Sequence, residues 1–290
     1  MKTIFLFFFV LSTATAHAQW DRGLTKLHWA LVEENDTLVY EILQDEPGLV
    51  ALPTQKYIPF PFTSRTEWST VQVAVVYNRI EALKAILKLS PDLDYQDPWF
   101  GYTALHAAAQ GSEEALRLLL EAGANPYARE AQGRWGDDGH SPLRMAIRLN
   151  RLASVRLLIE HGADVKTPSG KYKTTHLMDA TSFFSCNDAC KLEKLKIAKL
   201  IAPLSDINAV ALRDFTPPVL FNFIVSAGDR RMEDTFLATI DELLRLGADP
   251  CVMHAGETLV ASLKRRLADV PNNYYLRGFY DRVRVIGRCE

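Results

Sequence analysis

Asp137, Asp138 and His140 stand within four positions of one another in GRWGDDGH, oxygen and nitrogen donors of the kind a divalent cation accepts. Two acids and one imidazole in a glycine-rich stretch lack the packed groups that orient true ligands, so a solvated loop is the stronger reading. Cys186 and Cys190, in SCNDAC, have His176 ten residues upstream and together offer thiolate and imidazole ligands suited to zinc. A C-x3-C pair alone is a weak metal pattern; a short local disulfide or two thiols accounts for it more simply. His28 in TKLH and His106 in TALH have the chemistry of a general acid or base. Yet G-x-S-x-G, H-E-x-x-H, a Walker loop and a G-x-G-x-x-G after a strand are absent. The chain is therefore read as having no catalytic residue, no metal and no cofactor.

A different chemistry, that of contact, is better supplied. In DPWFGYTALHAAA, residues 97–109, Trp99, Phe100 and Tyr102 crowd around one glycine and precede a run of alanine. Large aromatics carry interface energy because they bury much area while losing little rotamer entropy. Alanine does the opposite: it lets one helix lie flat against another.

The ends and the composition limit what these residues can belong to. MKTIFLFFFVLSTATAHA places Lys2 before an apolar run from Ile4 to Leu11 and closes on Ala16-His17-Ala18, the layout of a secretory signal cleaved before Gln19. An apolar run of this length cannot span a bilayer, and no later stretch is long enough to do so. Removing 18 of 290 residues leaves 272 and moves the formal charge from −2 to −3, too small to suggest a nucleic-acid or membrane-surface protein. Hydrophobic content of 48% supports a continuous core, and 23% charged residues is too few for a disordered chain.

The elements that would position these side chains repeat. LTKLHWAL, STVQVAVV, YTALHAAA, HSPLRMAI and TTHLMDAT share Ser or Thr, any residue, an apolar residue and a short apolar helix. Each is followed about a dozen residues later by a second apolar run: YEIL, LKAILKL, LRLLLEAGANP, VRLLIEHGADV and LKIAKLIAPLSDIN. FLATIDELLRLGADP, residues 236–250, repeats the second half. Thr25, Ser69, Thr103, Ser141 and Thr175 are placed to accept a hydrogen bond from unpaired amides at a helix start, worth about 1 kcal/mol each. Gly123, Gly162 and Gly247 stand where the second helix must end in a left-handed residue. Asn78 and Asn150 stand between the two helices, where Asn is the next-best residue to glycine.

TALHAAA with LRLLLEAGANP, and SPLRMAI with VRLLIEHGADV, resemble the two halves of the ankyrin repeat, whose period is about 33 residues. Gly123 to Gly162 spans 39 residues because REAQGRWGDDG lengthens a loop. The resemblance implies an all-α solenoid of about 6–7 helix-turn-helix units with projecting hairpin fingers. It runs as one domain over residues 19–290, with units near 20–52, 66–96, 97–130, 137–166, 172–209 and 214–250 and a cap at 254–290. It weakens in repeat one, which has EEN at the inner turn, and in repeat five, which carries the extra FFSCNDACKLE. The resemblance also implies that His28 and His106 brace the fold through Thr25, Thr103 and a neighbouring repeat's backbone. Gln72, Arg144 and Met178 replace that histidine elsewhere, which predicts looser junctions there.

In this family the fingers and the exposed side of the first helices form a concave binding face. Mapped onto the sequence, that geometry places Trp68, Trp99, Phe100, Tyr102, Trp135 and His140 on the fingers or just past them, and Tyr77, Gln110, Arg148 and Leu149 near the ends of the first helices. Fingers also pack on one another, and ALPTQKYIPFPFTSR, residues 51–65, is able to fold over Trp68 or Trp99 instead. In an oxidising compartment Cys186 would pair with Cys190, and Cys251 with Cys289 to clamp the C-terminal cap. The expectation is an exported, periplasmic protein that binds another protein, as an inhibitor or immunity protein or as an envelope scaffold; the remaining alternative is a metal-binding or enzymatic protein that uses the divergent region 174–235. It is expected to be a monomer when unbound, with no nucleic acid bound and no membrane insertion after cleavage.

Overall fold

The computed structural model describes residues 24–54, 67–130, 139–168, 173–183, 186–209, 211, 218–224 and 232–286. The signal sequence and Cys289 lie outside them. Helices start where the sequence supplies a hydroxyl. Thr25 caps α1 (Lys26–Val32), Ser69 caps α3 (Thr70–Val76), Ser141 caps α7 (Pro142–Arg148) and Thr175 caps α9 (His176–Thr181), each accepting from the backbone three residues on. Thr103 stands at the same position before α5 (Ala104–Gly111). Pro142 at the first turn of α7 gives up no hydrogen bond, since that amide has no partner inside a helix.

Each of these helices turns at once into a second: α2 (Asp36–Asp45), α4 (Ile80–Leu87), α6 (Glu113–Glu121), α8 (Leu152–Glu160) and α10 (Asp188–Ile201). The inner turns of repeats one, two and four need a left-handed residue, and Glu34, Asn78 and Asn150 adopt φ of 61°, 54° and 58°. Repeat one thus makes the family's turn with a glutamate, held by an ion pair from Arg79 (2.6 Å). Second helices close alike. Gly123 and Ala124 donate to the carbonyls of Leu120 and Leu119, and the amides of Gly162 and Ala163 and of Gly247 and Ala248 repeat that pattern.

Two more pairs follow: α11 (Val219–Asn222) with α12 (Glu233–Arg245), and α13 (Leu259–Asp269) with α14 (Tyr274–Ile286). From α1 to α11 the first helices pack side by side in one row, and the second helices pack in a row behind them through α14. Short strands β1 (Met253–His254) and β2 (Glu257–Thr258) pair antiparallel across Ala255 and Gly256, both at positive φ, as a two-residue hairpin requires. None of the described helices is long and apolar enough to cross a membrane.

The buried layer changes character along the stack. Up to repeat four it is mainly Ala, Val, Leu and Ile, with Ala74, Ala108, Leu83 and Ile86 fully buried. From repeat five it turns aromatic: Phe183, Phe223 and Phe236 meet edge to face at 5.2–5.9 Å, and the Tyr275 hydroxyl donates to the Phe223 carbonyl (2.8 Å). Emptying this cluster should hurt locally, because each repeat touches only its neighbours. Phe236→Ala is expected to cost about 3–5 kcal/mol and to split urea unfolding into two steps, the C-terminal repeats melting first; one unshifted transition would contradict it.

Candidate protein-binding face

In repeats one to three the third residue of the first helix reaches both ways. His28 Nδ1 accepts from the Thr25 amide (3.3 Å), which leaves the ring proton on Nε2, 3.0 Å from the Thr70 hydroxyl of the next repeat. His106 accepts from the Thr103 amide (3.1 Å) and donates from Nε2 to the His140 carbonyl (3.0 Å). Gln72 does the same with its amide: Oε1 accepts from the Ser69 amide (2.8 Å) and Nε2 donates to the Tyr102 carbonyl (2.6 Å). Arg144 has no acceptor, but its guanidinium bridges to Thr174 and to Asp179 (2.8 Å) of the following repeat. The looser junctions expected at Gln72 and Arg144 are therefore corrected, because an amide or a guanidinium spans the same gap. Only Met178 lacks polar reach. There Asn222 donates to the Thr181 hydroxyl (2.9 Å) between repeats five and six.

The third finger is built around a buried acid. Asp97 is 2% exposed and accepts from the amides of Trp99 (3.0 Å), Phe100 (2.8 Å) and Tyr102 (2.8 Å), while the Gly101 amide donates back to its carbonyl. That folds WFGY into a tight turn with Gly101 at φ 69°. The turn stacks Phe100 on Tyr102 (5.5 Å, 18°) and Tyr102 on His106 (5.7 Å, 30°), and leaves Trp99 44% exposed at the edge of Phe100.

Below this stack lies an open cleft of about 800 Å³ crossing repeats two, three and four. Its finger end is walled by Trp68, Phe100 and Tyr102, and its floor is Val75, Val76 and Ala107. Gln110, Leu149 and Arg151 close the far end. Small residues on α5, Ala107 and Gly111, add to the depth, and a bulky side chain at Ala107 would intrude on it.

A family model of ankyrin repeats, in three copies, matches residues 27–130 and again 71–169. The chain is 30% identical over 174 residues to the B-cell lymphoma 3 protein homolog of Mus musculus, which covers 49% of this chain and 38% of that protein. It is 28% identical over 149 residues to human NF-kappa-B inhibitor zeta, covering 50% of this chain and 18% of that protein. It thus spans well under half the length of these curated relatives. Among solved structures it superimposes on the ankyrin repeat domain of Bcl-3 with a TM-score of 0.59 at 21% identity, over 82% of this chain and 93% of that one. An ankyrin repeat domain from Acinetobacter baumannii gives 0.58 at 22%, over 74% and 96%. The chain carries ankyrin repeats.

Within these ankyrin repeats the sequence-predicted contact residues fall into three groups. Trp68, Phe100, Tyr102, Gln110 and Leu149 share the cleft, with Trp99 beside it. Tyr77 is half-buried against the core, and Trp135 lies outside the described residues, as do Asp137 and Asp138. His140 and Arg148 stand beside the cleft rather than in its lining, in a polar cluster that leaves Arg148 with donors to spare: Arg148 donates to His140 Nε2 (3.2 Å), and His140 Nδ1 faces Glu130 (3.5 Å). Glu130 also hydrogen-bonds Tyr102, whose hydroxyl is pushed up to about 12 by burial and then by Glu130 and Asp97.

Sequence reading missed Asp97 and Glu130. The signal for Asp97 was its place at the head of a turn, where a short acid caps following amides. Cys186 and Cys190 lie together with Cα atoms 5.5 Å apart. His176 donates from Nδ1 to the Val165 carbonyl (3.0 Å), and among the described residues no three His, Cys, Asp or Glu converge for a metal.

Two consequences are measurable. Asp97→Ala strands three amides and should lower stability by about 2–4 kcal/mol, read from urea midpoints, and broaden the amide signals of 98–102 in NMR. His28 and His106 are both lowered to about 4 by burial. Their neutral form belongs to the folded state, so the unfolded chain binds more protons between pH 6.5 and 4. Stability is whole above that window and falls as pH drops through it, by up to about 1.4 kcal/mol per pH unit for each ring. Because Gln72 makes the same bonds, His28→Gln with His106→Gln should keep the pH 7 stability within about 1 kcal/mol and flatten the acid limb. An unchanged acid limb would refute the assignment.

Proposed function

We propose that this chain is an exported, non-catalytic protein-binding module that holds a partner against its fingers and first helices, acting in the periplasm as an inhibitor or immunity protein that occludes a toxin. The observation that carries this is the cleft: apolar walls, an aromatic stack held rigid by Asp97, and Trp99 and Leu149 exposed at its margins. Rigid aromatics around a concave apolar floor suit docking, since little entropy is lost when they are covered. The ankyrin repeat itself supports protein binding. One relative's name, NF-kappa-B inhibitor zeta, is that of an inhibitor, which lends an occluding role some support.

Export rests on the leader pattern of residues 1–18 and on the approach of Cys186 to Cys190, a pair suited to a disulfide where thiols oxidise. A scaffold for an envelope enzyme would use the same face; it differs in leaving its partner active.

Periplasmic extract of the native host should contain the chain beginning at Gln19. Affinity capture from envelope extract should retain one partner, with recovery reduced about tenfold by Trp99→Ala combined with Leu149→Ala. Equal recovery by the double variant would sink the docking face. A partner whose activity is unaffected on binding would replace inhibition with the scaffold role.

A further inference from the structure

The inner turn of repeat four reads Arg148-Leu149-Asn150-Arg151. Leu149 is 46% exposed at the end of the cleft, and the arginine on either side of it is exposed too. Neither arginine has a carboxylate within ion-pair distance among the described residues. Arg148 uses one nitrogen on His140 Nε2 (3.2 Å), and Arg151 uses Nε on the Gln110 carbonyl (3.0 Å), so both keep donors to spare.

Among the described residues, four nearby acids are already committed. Asp97 spends both oxygens on three amides, and Glu130 faces His140 and Tyr102. On α6, Glu113 pairs with Arg117 (3.3 Å) and Glu114 with Lys84 (3.9 Å). Glu67, beside Trp68 at the second finger, is exposed. The corresponding arginine of repeat two, Arg79, also donates to the preceding repeat's carbonyl, at Leu31, but there Glu34 neutralises it. Repeat four keeps the arginine, but the inner turn of the repeat before it, Gln110-Gly111-Ser112, has no glutamate.

We infer that the cleft takes a partner segment in which an apolar side chain is flanked by carboxylates, the apolar group entering over Ala107 and Leu149 and the carboxylates pairing with Arg148 and Arg151. This rests on the reading of the cleft as a docking site and adds the partner's chemistry. A guanidinium fork pairs a carboxylate through two parallel bonds, and beside an apolar floor such a pair is less screened than in open water.

The test uses two acetylated peptides, EDELFDE and its counterpart KRKLFKR, with the full mature chain, by calorimetry at low ionic strength. The acidic peptide is expected to bind at least about tenfold more tightly, with the preference shrinking as salt is raised. Arg148→Glu with Arg151→Glu should reverse the order of the two peptides. Equal affinities, a preference for the basic peptide, a preference unmoved by the double variant, or no binding of the acidic peptide below about 1 mM would each overturn the inference. The docking reading is checked separately by Gln110→Trp, which narrows the cleft without touching a charge. Loss of both peptides in that variant, with unchanged circular dichroism, keeps the cleft as the site whichever charge it prefers. Unchanged binding there places the peptides elsewhere and removes both readings together.

Discussion

Every junction in the first four repeats depends on one side chain that must satisfy an amide behind it and a partner ahead of it. The amide belongs to the residue that caps the first helix, and leaving such a group buried and unpaired costs about 1–3 kcal/mol. The partner belongs to the next repeat. A side chain that accepts at one end and donates at the other, with a fixed span between, meets both needs, which is why neutral histidine and glutamine serve at positions 28, 72 and 106. Burial keeps the two imidazoles in the neutral form that this double bond requires.

What the partner is decides what the neighbouring repeat is free to do. Gln72 and His106 donate to backbone carbonyls, those of Tyr102 and His140, and a carbonyl is present whatever side chain its residue carries. The two junctions that bound the cleft are therefore indifferent to the identity of the finger residues they hold. Tyr102 is anchored through its carbonyl while its ring stacks and its hydroxyl reaches Glu130. Stack and binding surface use different atoms of the same residue. That separation lets a rigid rod carry a variable face.

Much of this was legible in the sequence, and the illegible part has a common cause. Caps, turns and helix pairs follow from residue type within a few positions: hydroxyl before helix, Asn or Gly at positive φ, alanine where helices approach. Even Glu34 obeys the turn, since the fold supplies Arg79 to offset its unusual place. Contacts across about 30 residues were harder. That Gln72 substitutes for histidine is visible only once Tyr102 is seen in front of it. That Arg148 and His140 meet each other beside Glu130 is announced by nothing in the local pattern. The aromatics are not equivalent in place: Tyr77 packs on the core, and Phe100 and Tyr102 stack on each other.

The point where the chain departs from the repeat pattern has a physical origin in Arg144. A guanidinium has donors only, so it cannot accept the capping amide, and it needs an anion ahead. Asp179 supplies it, half hidden, with Lys194 bonded to the carbonyl of the same residue. A charge pair this enclosed demands specific side chains on the next repeat and is costly to break from one side. Beyond it Met178 offers no polar reach, and the stack is carried by Thr181, Asn222 and the aromatic cluster around Phe223. The match to the ankyrin family model ends at residue 169, just after repeat four. Past that residue the repeats are joined by the charge pair and then by packed rings, and the helix pairs continue beyond the reach of the family's sequence pattern.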